Sequence, residues 1–185
     1  MPSTEEFKKE LERVNAVSKW ARAVKKTAVT LLTVAAISVL TSFLWLPVLK
    51  TYGHSMMPTI NSGDVLVSVK STSLKRGDIA AFYLNNKILV KRVIACPGDT
   101  VKIEADGRVY INNSPLNEPY IKSPYSGETD IDFPLQVPES AWFVLGDNRE
   151  ASVDSRNSEV GLVYEDQMIG KVIFRIWPLK DIGVF

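Results

Sequence analysis

The chain has 185 residues, 45% apolar and 23% charged, with a net charge of +1. That balance excludes wholesale disorder and a strongly basic nucleic-acid binder, and the length allows one folded domain plus an appended segment. One cysteine, Cys96, and one histidine, His54, exclude an internal disulfide framework and a structural Cys/His zinc site, so neither a metal nor a cofactor is expected.

Residues 1–26 carry seven Lys/Arg against four Asp/Glu. Ser3 and Glu6 stand at capping-box spacing, and Val17, Ala21 and Val24 recur at three- and four-residue steps. This predicts a basic amphipathic helix. Residues 27–49 contain no charge, which predicts a transmembrane helix rather than a core helix or a short cleaved leader. Lys8, Lys9, Arg13, Lys19, Arg22, Lys25 and Lys26 precede the span, and only Lys50 follows it closely. The positive-inside rule therefore predicts a single-pass protein of the cell membrane, with residues 1–26 cytoplasmic and 50–185 extracytoplasmic.

After Lys50 the texture becomes that of short strands at 65–69, 79–84, 88–94, 101–103, 109–111, 142–145 and 171–176, rich in β-branched and aromatic residues. Turn signals separate them, among them Asn85-Asn86, Pro97-Gly98-Asp99, Asp106-Gly107 and Asn112-Asn113. Residues 114–140 hold five prolines and read as a long loop or small excursion. The expected fold is an all-β domain of antiparallel sheets, partly barrel-like, behind a single N-terminal transmembrane helix.

Three segments carry polar combinations that a plain β-domain does not need: 53–59, 91–99 and 146–156. A Ser-His-Asp triad would depend on His54, whose neighbour Ser55 points the opposite way if the chain there is extended. What remains is a serine activated by lysine. A free lysine is almost fully protonated at neutral pH, but burial without a counter-ion favours the neutral amine. Lys91 lies in I-L-V-K-R-V-I, the most apolar surroundings of any lysine after the span, where Leu89, Lys91 and Val93 share one strand face.

These segments closely resemble the bacterial type I signal peptidases, or leader peptidases. Ser55-Met56-Met57-Pro58-Thr59 fits the family's S-M-x-P-T. Lys91-Arg92-Val93-Ile94-Ala95-Cys96-Pro97-Gly98-Asp99 fits K-R-x-x-G-x-P-G-D except for Ala95. Gly146 to Arg156 fits G-D-N-R-x-x-S-x-D-S-R in full. The resemblance implies a membrane-bound serine endopeptidase that cleaves N-terminal signal peptides from exported preproteins. It implies Ser55 as nucleophile and Lys91 as general base. Ser152 would orient the lysine amine, Asp154 and Arg156 would form a supporting ion pair, and Asp147 would be a further structural carboxylate.

The resemblance also implies that the substrate binds as an added strand, with Met56, Ile60, Leu89 and Val90 lining pockets for small residues at −1 and −3. The Ser55 N–H is the obvious oxyanion donor. Gly53 replaces a serine that supplies a second donor in some members. The short interval between Lys91 and Ser152 resembles Gram-positive members. Implied partners are signal peptides, the lipid bilayer and the secretion machinery, with no nucleic acid. A self-cleaving Ser-Lys protease of the repressor type lacks support, since the chain has an anchor and no DNA-binding module. A catalytically silent homologue acting as a peptide-binding assembly factor would be expected to lose Ser55 or Lys91, and both are present.

Overall fold

A computed structural model describes residues 4–122 and 129–185. Ser3, the cap expected for the first helix, lies outside the described residues. The chain divides into two units, Met1–Leu44 and Trp45–Phe185.

The first unit is one helix, α1 (Thr4–Trp45), continuous across the predicted boundary at 26/27. Proline at 47 cannot continue a helix and is followed directly by a strand, so Val48 and Leu49 leave the predicted span. The uncharged helical stretch is therefore Thr27–Trp45, nineteen residues instead of twenty-three. At about 1.5 Å per residue it is about 28 Å long, close to a hydrocarbon core of about 30 Å. Leu32, Ile37 and Leu40 are exposed, and Thr27, Thr30, Thr33 and Thr41 each donate their hydroxyl to the carbonyl four residues earlier. Those polar atoms are satisfied within the helix and present little unpaired polarity to apolar surroundings. A helix that is apolar and, over its described side chains as far as Thr41, nowhere buried fits a single-pass membrane protein.

The second unit contains the strands β1 (Val48–Lys50), β2 (Val65–Val69), β3 (Ile79–Leu84), β4 (Lys87–Ala95), β5 (Thr100–Ile103), β6 (Val109–Ile111), β7 (Ser114–Pro115), β8 (Leu135–Gln136), β9 (Ala141–Leu145), β10 (Val163–Tyr164), β11 (Met168–Trp177) and β12 (Gly183–Val184). Eight of them form one antiparallel sheet in the order β1-β2-β11-β3-β4-β9-β10, with β12 on β11. The other four form a smaller sheet, β7-β6-β5-β8. Residues 114–140, expected as a loop or excursion, contribute the two edge strands of the small sheet. Among the described residues the large sheet runs from β1 at one end of this order to β10 at the other.

The turns follow the residues that permit them. Asn85 and Asn86 join β3 to β4 at φ 46° and 63°, the left-handed values that a two-residue hairpin loop requires and asparagine tolerates. This turn sets the register that places Lys91 opposite Ala80 and Arg92 opposite Ile79. Buried apolar side chains form three clusters. One, with Ile94, Val101, Ile111, Phe143 and Leu145, joins the small sheet to β4 and β9. Another gathers Ala80, Phe82, Val93 and Val144, with Leu89 packed against it. The third contains Met56, Ile60, Leu66, Ile79 and Val172, with Val90 against it.

Candidate active site

Residues 53–60 are not extended but turn back on themselves. Met57 N–H donates to the His54 carbonyl at 3.2 Å, and Ile60 N–H to the Met56 carbonyl at 2.9 Å. The extended chain assumed for His54 and Ser55 is thus replaced by a turn, because Met56 and Ile60 must both enter the third cluster, at 4% and 2% exposure. Burial of these two anchors leaves Ser55 half-buried and His54 exposed. Ser55 lines a cleft of about 300 Å³, and His54 does not.

Lys91 lines the same cleft from β4 and is 3% exposed. Its amine donates to Ser152 Oγ at 2.9 Å. Among the described residues it has neither an ion pair nor a hydrogen bond to Ser55. Burial pulls its pKa from 10.5 down to about 8. The Asp154 carboxylate opposes that shift, the Arg156 guanidinium assists it, and Asp147 opposes it more weakly. Desolvation wins because both carboxylates are already engaged with arginines. Arg156 binds Asp154 through Nε at 2.8 Å and Nη2 at 3.0 Å. Arg92 binds Asp147 through Nε at 2.8 Å and Nη2 at 2.6 Å. Asp154 also accepts the Gly146 N–H at 3.0 Å, so it holds the start of its own loop.

The loop 146–156 is fastened to the Ser55 turn at several points. Asn148 N–H donates to the Ser55 carbonyl at 3.0 Å, and Asn148 Nδ2 to the His54 carbonyl at 3.2 Å. Thr59 Oγ1 donates to Asp147, so the S-M-x-P-T segment shares the carboxylate that Arg92 holds. Gly146 allows the close approach. A Cβ there would lie 2.2 Å from Ser152 Oγ and 2.4 Å from the Ser55 carbonyl oxygen.

All four residues expected at substrate pockets, Met56, Ile60, Leu89 and Val90, line the cleft. They have core duties as well: Met56, Ile60 and Val90 belong to the third cluster and Leu89 packs on the second. The walls are two strand edges. Among the described residues β1 pairs only with β2, and Lys87–Val90 pairs only with β3, because β9 meets β4 from Arg92 onward.

Sequence reasoning left out a second layer. The Arg92 guanidinium stacks on the Tyr120 ring, 4.1 Å from its centroid. Tyr120 donates to Glu118 at 2.9 Å, and Glu118 forms a buried ion pair with Arg149. Burial, followed by the Glu118 charge, pushes the Tyr120 hydroxyl above the ordinary tyrosine range. Glu118 and Tyr120 sit in the proline-rich excursion, where neither periodicity nor motif marks them. A carboxylate and an aromatic flanking Pro119 are their only signal. Cys96 stays outside the cleft, its Sγ facing the Leu74 carbonyl at 3.7 Å, and burial raises its thiol pKa.

Residues 21–177 match the family model described as signal peptidase, peptidase S26. A signal peptidase I from Bacillus caldolyticus is 41% identical over 146 residues, covering 70% of this chain and 78% of that protein. A signal peptidase I from Bacillus amyloliquefaciens is 35% identical over 186 residues, covering 95% of this chain and 96% of the relative. A crystal structure of a signal peptidase I from Enterococcus faecalis V583 is 34% identical, with a TM-score of 0.46 over 54% of this chain and 96% of that one. With a family model spanning most of its length and full-length relatives above 30% identity, the chain belongs to the peptidase S26 family of signal peptidases.

Proposed function

We propose that the protein is a membrane-anchored serine endopeptidase that removes N-terminal signal peptides from exported preproteins through Ser55 and Lys91. The observation that carries this reading is a lysine 3% exposed, free of carboxylate contact among the described residues and lining one cleft with Ser55. Such a lysine has no structural reason to be buried, and its pKa of about 8 leaves a useful neutral fraction near neutral pH.

In the proposed reaction Ser55 Oγ bonds to the carbonyl carbon of the scissile peptide as its proton passes to the neutral Lys91 amine. The C–N bond then breaks as Lys91 returns that proton to the leaving amine. A water then adds to the acyl carbon as its proton passes to Lys91, the C–Oγ bond breaks, and Lys91 returns that proton to Ser55 Oγ, releasing the carboxylic acid and restoring the serine hydroxyl and the neutral amine. Ser152 holds the amine in position, and the pairs Asp154–Arg156 and Asp147–Arg92 keep carboxylates from capturing it.

The open edges of β1 and Lys87–Val90 support a substrate strand laid between them, with main-chain bonds supplying affinity. The apolar cleft lined by Met56, Ile60, Leu89 and Val90 supports small side chains at −1 and −3. The uncharged stretch of α1 supports an anchor in the lipid bilayer, and its basic flank supports a cytoplasmic N-terminus and an extracytoplasmic β-domain. That location would bring translocating preproteins, and with them the secretion machinery, to the cleft.

Incubation of detergent-solubilised protein with a preprotein carrying an A-x-A junction tests this. Cleavage at the junction, lost in Ser55→Ala, is expected. Equal cleavage by Ser55→Ala would refute the assignment.

A further inference from the structure

We propose that Asn148 is a positioning residue that aims the Ser55 backbone N–H into the cleft as the oxyanion donor. The inference rests on Ser55 being the nucleophile, as argued above. An acyl-transfer site gains most from donors already aimed at the place where negative charge develops. Gly53 has no hydroxyl to offer, and its φ of 92° is one that a side-chain-bearing residue would adopt only with strain. The main-chain N–H of Ser55 must therefore carry more of the task, and its direction matters more.

That direction is set by the peptide group joining His54 to Ser55. A trans peptide is planar, with its C=O and N–H pointing in opposite directions. Among the described residues the cis bonds all precede prolines, so this peptide is trans. Whatever holds the His54 carbonyl thus fixes the heading of the Ser55 N–H. Two donors hold it, Met57 N–H and Asn148 Nδ2, each at 3.2 Å. The first belongs to the same turn and moves with it. Only Asn148 reaches in from another segment and ties the peptide to the rest of the domain. Its own main-chain N–H takes the next carbonyl, that of Ser55, at 3.0 Å. One residue therefore grips the peptide groups on both sides of the Ser55 Cα. The Ser55 N–H donates to nothing among the described residues, which leaves it free for a ligand.

Asn148 is itself braced. Its neighbours Asp147 and Arg149 are 2% and 3% exposed, and each is locked in a buried ion pair, with Arg92 and Glu118. The side-chain amide must present nitrogen to His54, since a carbonyl needs a donor. Asn148→Asp replaces that donor with an acceptor of the same shape, and Asn148→Ala removes it. Both keep the main-chain bond to Ser55.

The test measures cleavage of a signal-peptide substrate by the full-length protein in detergent, with affinities for a peptide aldehyde and for an uncleavable substrate peptide. A merely structural residue would weaken both ligands together. We expect kcat to fall about tenfold to a hundredfold in both variants, with KM within about twofold. Aldehyde affinity should fall by the same factor as kcat, while peptide affinity and the pH midpoint stay unchanged. Wild-type kcat in Asn148→Ala, or parallel losses of aldehyde and peptide binding with a lowered melting temperature, would overturn the proposal. Ser55→Ala, run alongside, separates the two levels. If it is inactive while Asn148→Ala is fully active, only the Asn148 assignment fails. If it cleaves normally, the nucleophile assignment fails and this one with it.

Discussion

Lys91 shows how much one buried amine depends on residues that never touch it. Asp154 is the strongest influence favouring its charged form, yet the pKa still falls, because burial outweighs it and Arg156, which binds that carboxylate from two nitrogens, adds to the fall. Arg156 does not depend on Asp154 alone, since it also donates to the Arg149 carbonyl at 2.7 Å. Loss of Asp154 would leave the buried Arg156 guanidinium without its carboxylate and the Gly146 N–H without its acceptor. Gly146 itself is a steric requirement. An added methyl would meet the Ser55 carbonyl, a backbone atom that yields only by moving the whole turn. Gly146→Ala should lower kcat by at least about a hundredfold, the cost of about 1 Å of misplacement at a reacting group. Single-turnover cleavage by purified Gly146→Ala checks this, and a near-normal rate would contradict it.

At the scale of elements, the strands at 65–69, 79–84 and 109–111 have the boundaries that their alternation and flanking turns predict. They are legible because β-branched runs end at glycine and asparagine positions that adopt positive φ, such as Asn85, Asn86, Gly98 and Gly107. β1 is not legible, since Val48 and Leu49 continue an apolar run and only Pro47 marks the change. β7, β8, β10 and β12 are two residues each, too short to show a period. In the site, the side chains carrying the proposed chemistry were legible through their motifs. The layer beneath them was not, because Glu118–Arg149 and Arg92–Tyr120 join segments distant in sequence whose pairing only the fold reveals. That layer should govern stability. Glu118→Ala would leave Arg149 buried without its carboxylate, with only the Gly146 carbonyl at 3.1 Å as acceptor among the described residues. Breaking such a pair costs about 3–5 kcal/mol. Denaturant unfolding of the variant measures it, and a loss under about 1 kcal/mol would show the pair to be dispensable.

For the whole molecule, the chain joins an apolar helix with a basic flank to a β-domain in which a cleft lies between two strand edges that are unpaired among the described residues. The seven-against-one asymmetry of Lys/Arg beside the uncharged stretch sets the expected topology. Protease added to intact spheroplasts should digest the β-domain, and protection of that domain would reverse the orientation. The central claim, that a neutral Lys91 activates Ser55, is tested most directly by the pH dependence of kcat/KM. Deprotonation creates the base, so activity should rise about tenfold per pH unit on the acid side and level off above about pH 8. Lys91→Arg should be inactive throughout, because guanidinium stays charged in any protein environment. A flat profile from about pH 6 to pH 9, or substantial turnover by Lys91→Arg, would contradict the account.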